Sequence, residues 1–267
     1  MHTRGRLFAA ALVCALGFCL IVNSSWNATS DSALYLSLAE SLADGQGYRF
    51  NGEHHTLVPP GFPSLLAEVV RSFGDSFLAY RTAMAVMGLL TAAAGYLFLL
   101  RLVGPDAALL IGGLFGVNHV LLHFSTFTLS DVPFALFSLI GLCAALLAAW
   151  DRPRVLWTIV AGLVIAMLPV LRVNGLGFLP VVAFFLFYSW REMKPTRRIL
   201  LVVLFLTLAS GPWVVWQFWK TFFPPAFGEG TYFNAVTSRS LDTQLEVMLS
   251  ALYGYVAEVT YAVTGLS

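Results

Sequence analysis

Seven apolar stretches, at 7–22, 77–100, 107–124, 132–150, 155–171, 175–190 and 199–219, govern what this chain can fold into. A helix needs about 20 apolar residues to cross a bilayer core, and each stretch comes close to that length. Apolar and polar residues do not alternate along them as they do in barrel strands. The spans are therefore helical, with each backbone group bonded inside its own segment. The chain is expected to be an all-α polytopic membrane protein with about seven transmembrane helices. Composition agrees: 58% of residues are hydrophobic and 11% are charged, against about 25% charged in a soluble domain. A net charge of +1 gives no reason to expect a nucleic-acid partner.

The distribution of basic residues sets the topology. Arg4, Arg6, Arg101, Arg152, Arg154, Arg191, Lys194, Arg197 and Arg198 crowd the short connections on one side. By the positive-inside rule that side is cytoplasmic. The N-terminus is then inside, and 23–76 and 220–267 are outside. Residues 155–190 as one helix would run about 54 Å, too long for one crossing. A break at Arg172-Val173-Asn174-Gly175 gives two short spans and returns Arg191–Arg198 to the cytoplasm. Arg4 and Arg6 before an apolar stretch suit a signal peptide, but no clear small-x-small site follows, so an uncleaved first span is expected. Cys14, Cys19 and Cys143 lie in apolar spans as packing residues, with no disulfide framework implied.

The outer loop 23–76 is patterned. Ser30 or Asp31 can cap a helix running to about Ala43, which Gly45 can end. Leu34, Leu38 and Leu42 give that helix one apolar stripe, so it would lie along the membrane surface. Pro59-Pro60-Gly61-Phe62-Pro63 makes a rigid bend, because proline removes donors and fixes φ. A second short helix, about 64–73, follows. The domain division expected is 1–219 for the membrane bundle and 220–267 for an outer tail. That tail begins irregularly at Pro224-Pro225 and Gly228-Glu229-Gly230 and contains an amphipathic stretch at about 241–262.

Asp31 and Asp131 each open a helix on the outer side. An acid there can simply favour the positive helix end, with Ser130 capping and Pro133 in the first turn. Gly104-Pro105-Asp106 starts a span in the same style on the opposite side. The other reading is catalytic, and it rests on the two acids sharing a face. Arg172 ends an apolar run at membrane depth. It either snorkels to the outer interface or presents its planar fork of donors to a phosphate. Arg81 enters its span as an anchor or a second phosphate contact. His54 and His55, with Glu53 beside them, lack metal-ligand spacing and suit solvent or a phosphate better; no metal site is expected. His119 and His123 share one helical face. Trp213, Trp216 and Trp219 fit an interfacial belt.

The pattern Tyr35-Leu36…Leu38-Ala39…Leu42…Gly45…Gly47-Tyr48, followed by Pro59-Pro60-Gly61-Phe62-Pro63, resembles the first outer loop of polyprenol-dependent glycosyltransferases. Ser130-Asp131-Val132-Pro133 resembles their second outer-loop motif, and Leu171-Arg172…Gly175 their arginine segment. Relatives include protein O-mannosyltransferases and the bacterial transferases that add aminoarabinose to lipid A. The resemblance implies a GT-C-type helical bundle with juxtamembrane helices in the first outer loop. It also implies inverting transfer from a polyprenyl-phosphate sugar donor, with Asp31 as catalytic carboxylate and Asp131 as a second acid in the same cavity. It places Tyr35, Tyr48 and Pro60 at the substrate. Two departures stand out: Ser32 follows the first acid where many members have another acid, and Val58 precedes the double proline where many have Arg or Lys. The lost phosphate contact would fall to Arg49, His54 or His55. The family has further spans and often a C-terminal outer domain, so the chain either stops outside the membrane or is a piece of a longer protein.

The chemistry follows from location. Outside the cytoplasm a sugar is best carried on a lipid. Arg172, with Arg49 or Arg81, would stabilise the departing phosphate. Asp31 would take the acceptor hydroxyl's proton. Asp131 would orient acceptor or sugar hydroxyls, or help hold an optional divalent metal; no cofactor is required. The sugar is a hexosyl or pentosyl group, and the acceptor a lipid, protein or glycan. The expected site is a bacterial inner membrane. The rival reading is a transporter or flippase for the same lipid, or a non-enzymatic scaffold. A transporter would show repeat symmetry and polar residues at mid-membrane.

Overall fold

A computed structural model describes residues 2–151 and 154–223, the side chains of 2–4 excepted. The expected amphipathic stretch 241–262, the turns at Pro224-Pro225 and Gly228-Glu229-Gly230, and Arg152 and Arg239 lie outside the described residues. The described chain is almost wholly helical, and it is an integral membrane protein. Its elements run α1 (His2–Leu20), α2 (Ser30–Ala43), β1 (Arg49–Phe50), β2 (Glu53–His54), α3 (Gly61–Phe73), α4 (Phe77–Val103), α5 (Pro105–Gly116) and α6 (His119–Phe124). They continue as α7 (Asp131–Trp150), α8 (Arg154–Ile165), α9 (Met167–Leu171), a 3-10 turn (Val173–Gly177), α10 (Phe178–Ser189) and α11 (Pro195–Lys220).

Four segments are long and apolar enough to cross a bilayer, namely α4, α7, α8 with α9, and α11; Gly5–Leu20, α5 and Val173–Ser189 are shorter apolar helices. All seven expected stretches are therefore helical, but 107–124 is not one rod. Asn118 takes an extended backbone and its side chain accepts from the Val120 N–H. A side chain that bonds the local backbone offers it an alternative to helix continuation. The stretch divides there into α5 and the short α6. The break expected at Arg172 is present, between α9 and the 3-10 turn.

The helices pack through small residues. Ala144, Ala145 and Ala148 of α7 meet Ala161 and Ile165 of α8, and Phe205 and Ala209 of α11, in one core. Phe184 and Val215 stay 71% and 68% exposed on the outer surface, as suits a surface facing lipid. A second core joins Tyr35 and Leu36 of α2, and Phe62 and Leu66 of α3, to Tyr80, Met84, Val132 and Leu171. This core pins the two surface helices to the bundle.

The bundle has two distinct ends. At one, Arg101 pairs with Asp151 at 3.0 Å and the Trp190 indole donates to the Ala148 carbonyl at 3.0 Å. At the other, Arg81 donates to the Ser25 carbonyl at 3.2 Å, Asn27 to Thr126 Oγ1 at 3.1 Å, and Tyr48 stacks edge-on against Trp216.

Two helix starts differ from expectation. The N-cap of α2 is Thr29, not Ser30 or Asp31. Thr29 has the extended backbone a cap needs, and it forms a reciprocal capping box with Ser32 three residues on. At α7, Ser130 occupies the cap position but makes no side-chain capping bond. The second surface helix begins at Gly61 rather than 64, with Pro63 in the first turn, where a missing N–H costs nothing.

Candidate active site

Arg172 stands at a junction the local sequence builds. Its N–H donates to the Leu168 carbonyl at 2.9 Å, closing α9, while its own carbonyl accepts from the Gly175 N–H at 2.8 Å, opening the 3-10 turn. A Cβ on Gly175 would lie 2.3 Å from the Leu168 carbonyl carbon, so only glycine lets the turn fold back on α9. The Arg172 guanidinium is thereby held out of the junction, and its Nη1 pairs with Asp131 Oδ1 at 2.5 Å. Both side chains are a little over one third exposed (37% and 38%). An ion pair this accessible contributes at most about 1 kcal/mol to stability. Its consequence is geometric: the fork has a fixed orientation.

Above this pair lies α2. Tyr35 is buried, stacks edge-on against Phe62, and brings its hydroxyl within 3.5 Å of Ser130 Oγ, the residue next to Asp131. Burial pushes the Tyr35 phenol above its ordinary pKa; the Ser130 hydrogen bond opposes the shift, Asp31 and Asp131 add to it, and Arg172 opposes it. One phenol thus feels both carboxylates and the guanidinium. Asp31 is exposed in the first turn of α2. Because Thr29 takes the capping bond, the Asp31 carboxylate is not spent on the helix end.

The remaining candidates lie elsewhere. The Asn51-Gly52 turn, with φ of 51° and 84°, closes the β1–β2 hairpin. Arg49 is exposed there and reaches the Gly52 carbonyl and His54 Nε2. His55 is buried, and its Nε2 accepts from the Val58 N–H at 3.1 Å, bracing the turn into Pro59. The Tyr48 hydroxyl donates to the Val58 carbonyl at 3.0 Å. Arg81 is 5% exposed and turned to Ser25. Tyr48, His54 and Pro60 line an apolar groove of about 880 Å³ with Val170, Pro212 and Trp216. This groove adjoins the α3–α9 contact, where Gly61 packs against the Val170 carbonyl and a Cβ would come within 2.5 Å. Val170 faces the groove, and the adjacent Leu171 joins Tyr35 and Phe62 in the core.

The structure therefore gathers Asp31, Asp131, Arg172 and Tyr35, sets Tyr48, His54 and Pro60 along the groove, and commits His55 and Arg81 to backbone contacts. Among the described residues, no group of three or more His, Cys, Asp or Glu side chains could hold a metal ion. Sequence reasoning missed Ser130 as the hydroxyl facing Tyr35, and Trp216 and Trp219 as a groove wall. It also missed the hairpin, although Asn-Gly between short extended runs is a strong turn signal.

A search of curated proteins finds no match. Solved structures share the fold. ArnT from Cupriavidus metallidurans in the apo state superposes with a TM-score of 0.66 at 17% identity, over 84% of this chain and 44% of that one. The same protein bound to undecaprenyl phosphate gives 0.64 at 17% identity, over 86% and 44%. The S. cerevisiae protein O-mannosyltransferase Pmt1-Pmt2 complex bound to the sugar donor gives 0.65 at 15% identity, over 83% and 34%. The chain spans less than half the length of these proteins. Residues 57–216, which include Arg81, Asp131 and Arg172 and leave Asp31 upstream, match the family described as dolichyl-phosphate-mannose-protein mannosyltransferase, and the chain belongs to that family.

Proposed function

We propose that this protein transfers a sugar from a polyprenyl-phosphate donor to an acceptor hydroxyl at the extracytoplasmic face of the membrane, inverting the anomeric centre. The observation that carries this reading is the Asp131–Arg172 ion pair beside Asp31, all bearing on Tyr35. Family membership and the lipid-phosphate and sugar-donor ligands named for the structural relatives support the donor class. The outer face is supported by the basic side chains at the opposite end.

Arginine carries five N–H donors in a planar fork. Asp131 engages one arm of Arg172, and the remaining donors meet the donor phosphate, whose charge grows as the glycosidic bond breaks. Asp31 accepts the proton of the acceptor hydroxyl as that oxygen bonds to the anomeric carbon. The glycosidic electron pair leaves with the phosphate, and attack from the opposite face inverts the centre. Tyr35 stays neutral at physiological pH and orders the Ser130 edge of the pocket. The apolar groove of Tyr48, Pro60 and Trp216 takes up isoprenoid units, with His54 at its rim. In this reading Arg81 and His55 hold the walls, and Arg49 stands on the hairpin.

Asp31→Asn in the full-length protein tests the assignment. Turnover of a synthetic polyprenyl-phosphate sugar should fall by about 100-fold or more, the usual share of a general base, with donor KM nearly unchanged. Full turnover in that variant would remove Asp31 from the chemistry. Donor accumulation in cells lacking the protein, read by mass spectrometry, names the sugar.

A further inference from the structure

At the end of the bundle opposite the Asp131–Arg172 pair, two arginines close the base of the core. The buried face of α8 runs through Thr158, Ala161, Gly162 and Ile165, and Arg154 lies one turn before Thr158 on that face. The buried face of α11 runs through Leu201, Phe205 and Ala209, and Arg198 lies three residues before Leu201. These faces meet: a Cβ on Gly162 would stand 2.9 Å from Leu208 Cβ and 3.3 Å from the Phe205 carbonyl oxygen. Both helices start at this end and rise together. Counted back from that contact at about 1.5 Å per residue, Arg154 and Arg198 come to nearly the same depth.

Among the described residues neither arginine makes an ion pair. The Nε atoms of both are buried and, among the described residues, have no hydrogen-bond partner. Asp151, the acid beside Arg154 in sequence, is paired with Arg101. The Arg198 guanidinium carbon lies 3.9 Å from the centre of the Phe187 ring. A buried guanidinium N–H without an acceptor is costly, so two at one level indicate a missing acceptor. The neighbours of both arginines face lipid: Leu156 is 51% exposed and Leu200 63%.

We propose that Arg154 and Arg198 form a binding site for the phosphate of an anionic phospholipid in the leaflet at that end. The fork of each guanidinium suits a phosphodiester, and basic pockets between spans take such headgroups. The exposed apolar residues beside them carry the acyl chains. Arg191, Lys194 and Arg197 add long-range attraction without forming the pocket.

The purified full-length protein in phosphatidylcholine nanodiscs, titrated with phosphatidylglycerol, tests this by native mass spectrometry and thermal midpoint. Phosphatidylglycerol should be retained in preference to phosphatidylcholine and should raise the midpoint. The double variant Arg154→Gln/Arg198→Gln should weaken apparent affinity by about tenfold or more, and Arg197→Gln by no more than about twofold. Inorganic phosphate alone should give no adduct. The site is overturned if the unaltered protein shows no preference for the anionic lipid, if the double variant binds it equally, or if inorganic phosphate saturates the site without lipid. The first of these is read without any variant, so it decides even where the double variant fails to fold.

Discussion

Asp31 and Asp131 occupy the same position, the first turn of a helix, and have different neighbours. Asp131 is tied to Arg172, whereas Asp31 leaves its helix end to Thr29. Arg172→Lys keeps the charge and loses the fork. It should reduce kcat/KM for the donor by about 100-fold, yet shift the thermal midpoint by less than about 4 °C, because the pair is accessible. Kinetics and calorimetry on the same preparation separate these effects. Glu40 on α2 offers a test by pH. Partial desolvation first, then the charges of Asp75 and Asp44, push the carboxyl of this exposed residue above the usual range. The folded protein then holds that proton more tightly than the unfolded chain, so the contribution is favourable in acid and is lost as pH rises through the folded value. Glu40→Gln should raise the thermal midpoint at neutral pH, with the gain vanishing below about pH 4. Both acids and Arg172 were legible as residues out of place in an apolar chain. Their partners were not: capping by Thr29 depends on a backbone angle, and the Asp131–Arg172 contact spans three helices.

Among the elements, the α9–3-10 junction decides most. Gly175→Ala would set a methyl against the Leu168 carbonyl, and Gly61→Ala one against the Val170 carbonyl, both backbone atoms that cannot swing aside. Each should cost about 1–3 kcal/mol and depress activity by displacing Arg172. Gly177→Ala, with nothing within 4 Å, should leave both unchanged. Thermal melts and turnover of the three variants check this. The break at Arg172 was readable from length alone, since one helix of that extent overshoots a bilayer. The division of 107–124 at Asn118 was not, because the apolar run is continuous and one side-chain hydrogen bond ends the helix.

The described bundle separates an end rich in arginine and lysine from the end that bears Asp31 and Asp131, and its orientation in the membrane is open to direct measurement. With Cys14, Cys19 and Cys143 replaced by alanine, Glu53→Cys should react with an impermeant maleimide in intact cells, and Lys194→Cys only after permeabilisation. The reverse pattern would place the acids inside. Seven apolar runs and their charge bias made the bundle legible, whereas the attachment of the first loop was hidden in long-range contacts. That attachment has a mechanical outcome. Arg81 grips the Ser25 carbonyl and Asn27 holds Thr126, so the strand of chain leading into α2 is moored to α4 and to the segment preceding α7. When the bilayer thins or thickens and the spans tilt, the moorings travel with them. Asp31 is carried along with Asp131, and the spacing of the two carboxylates is kept by the frame rather than by the loop.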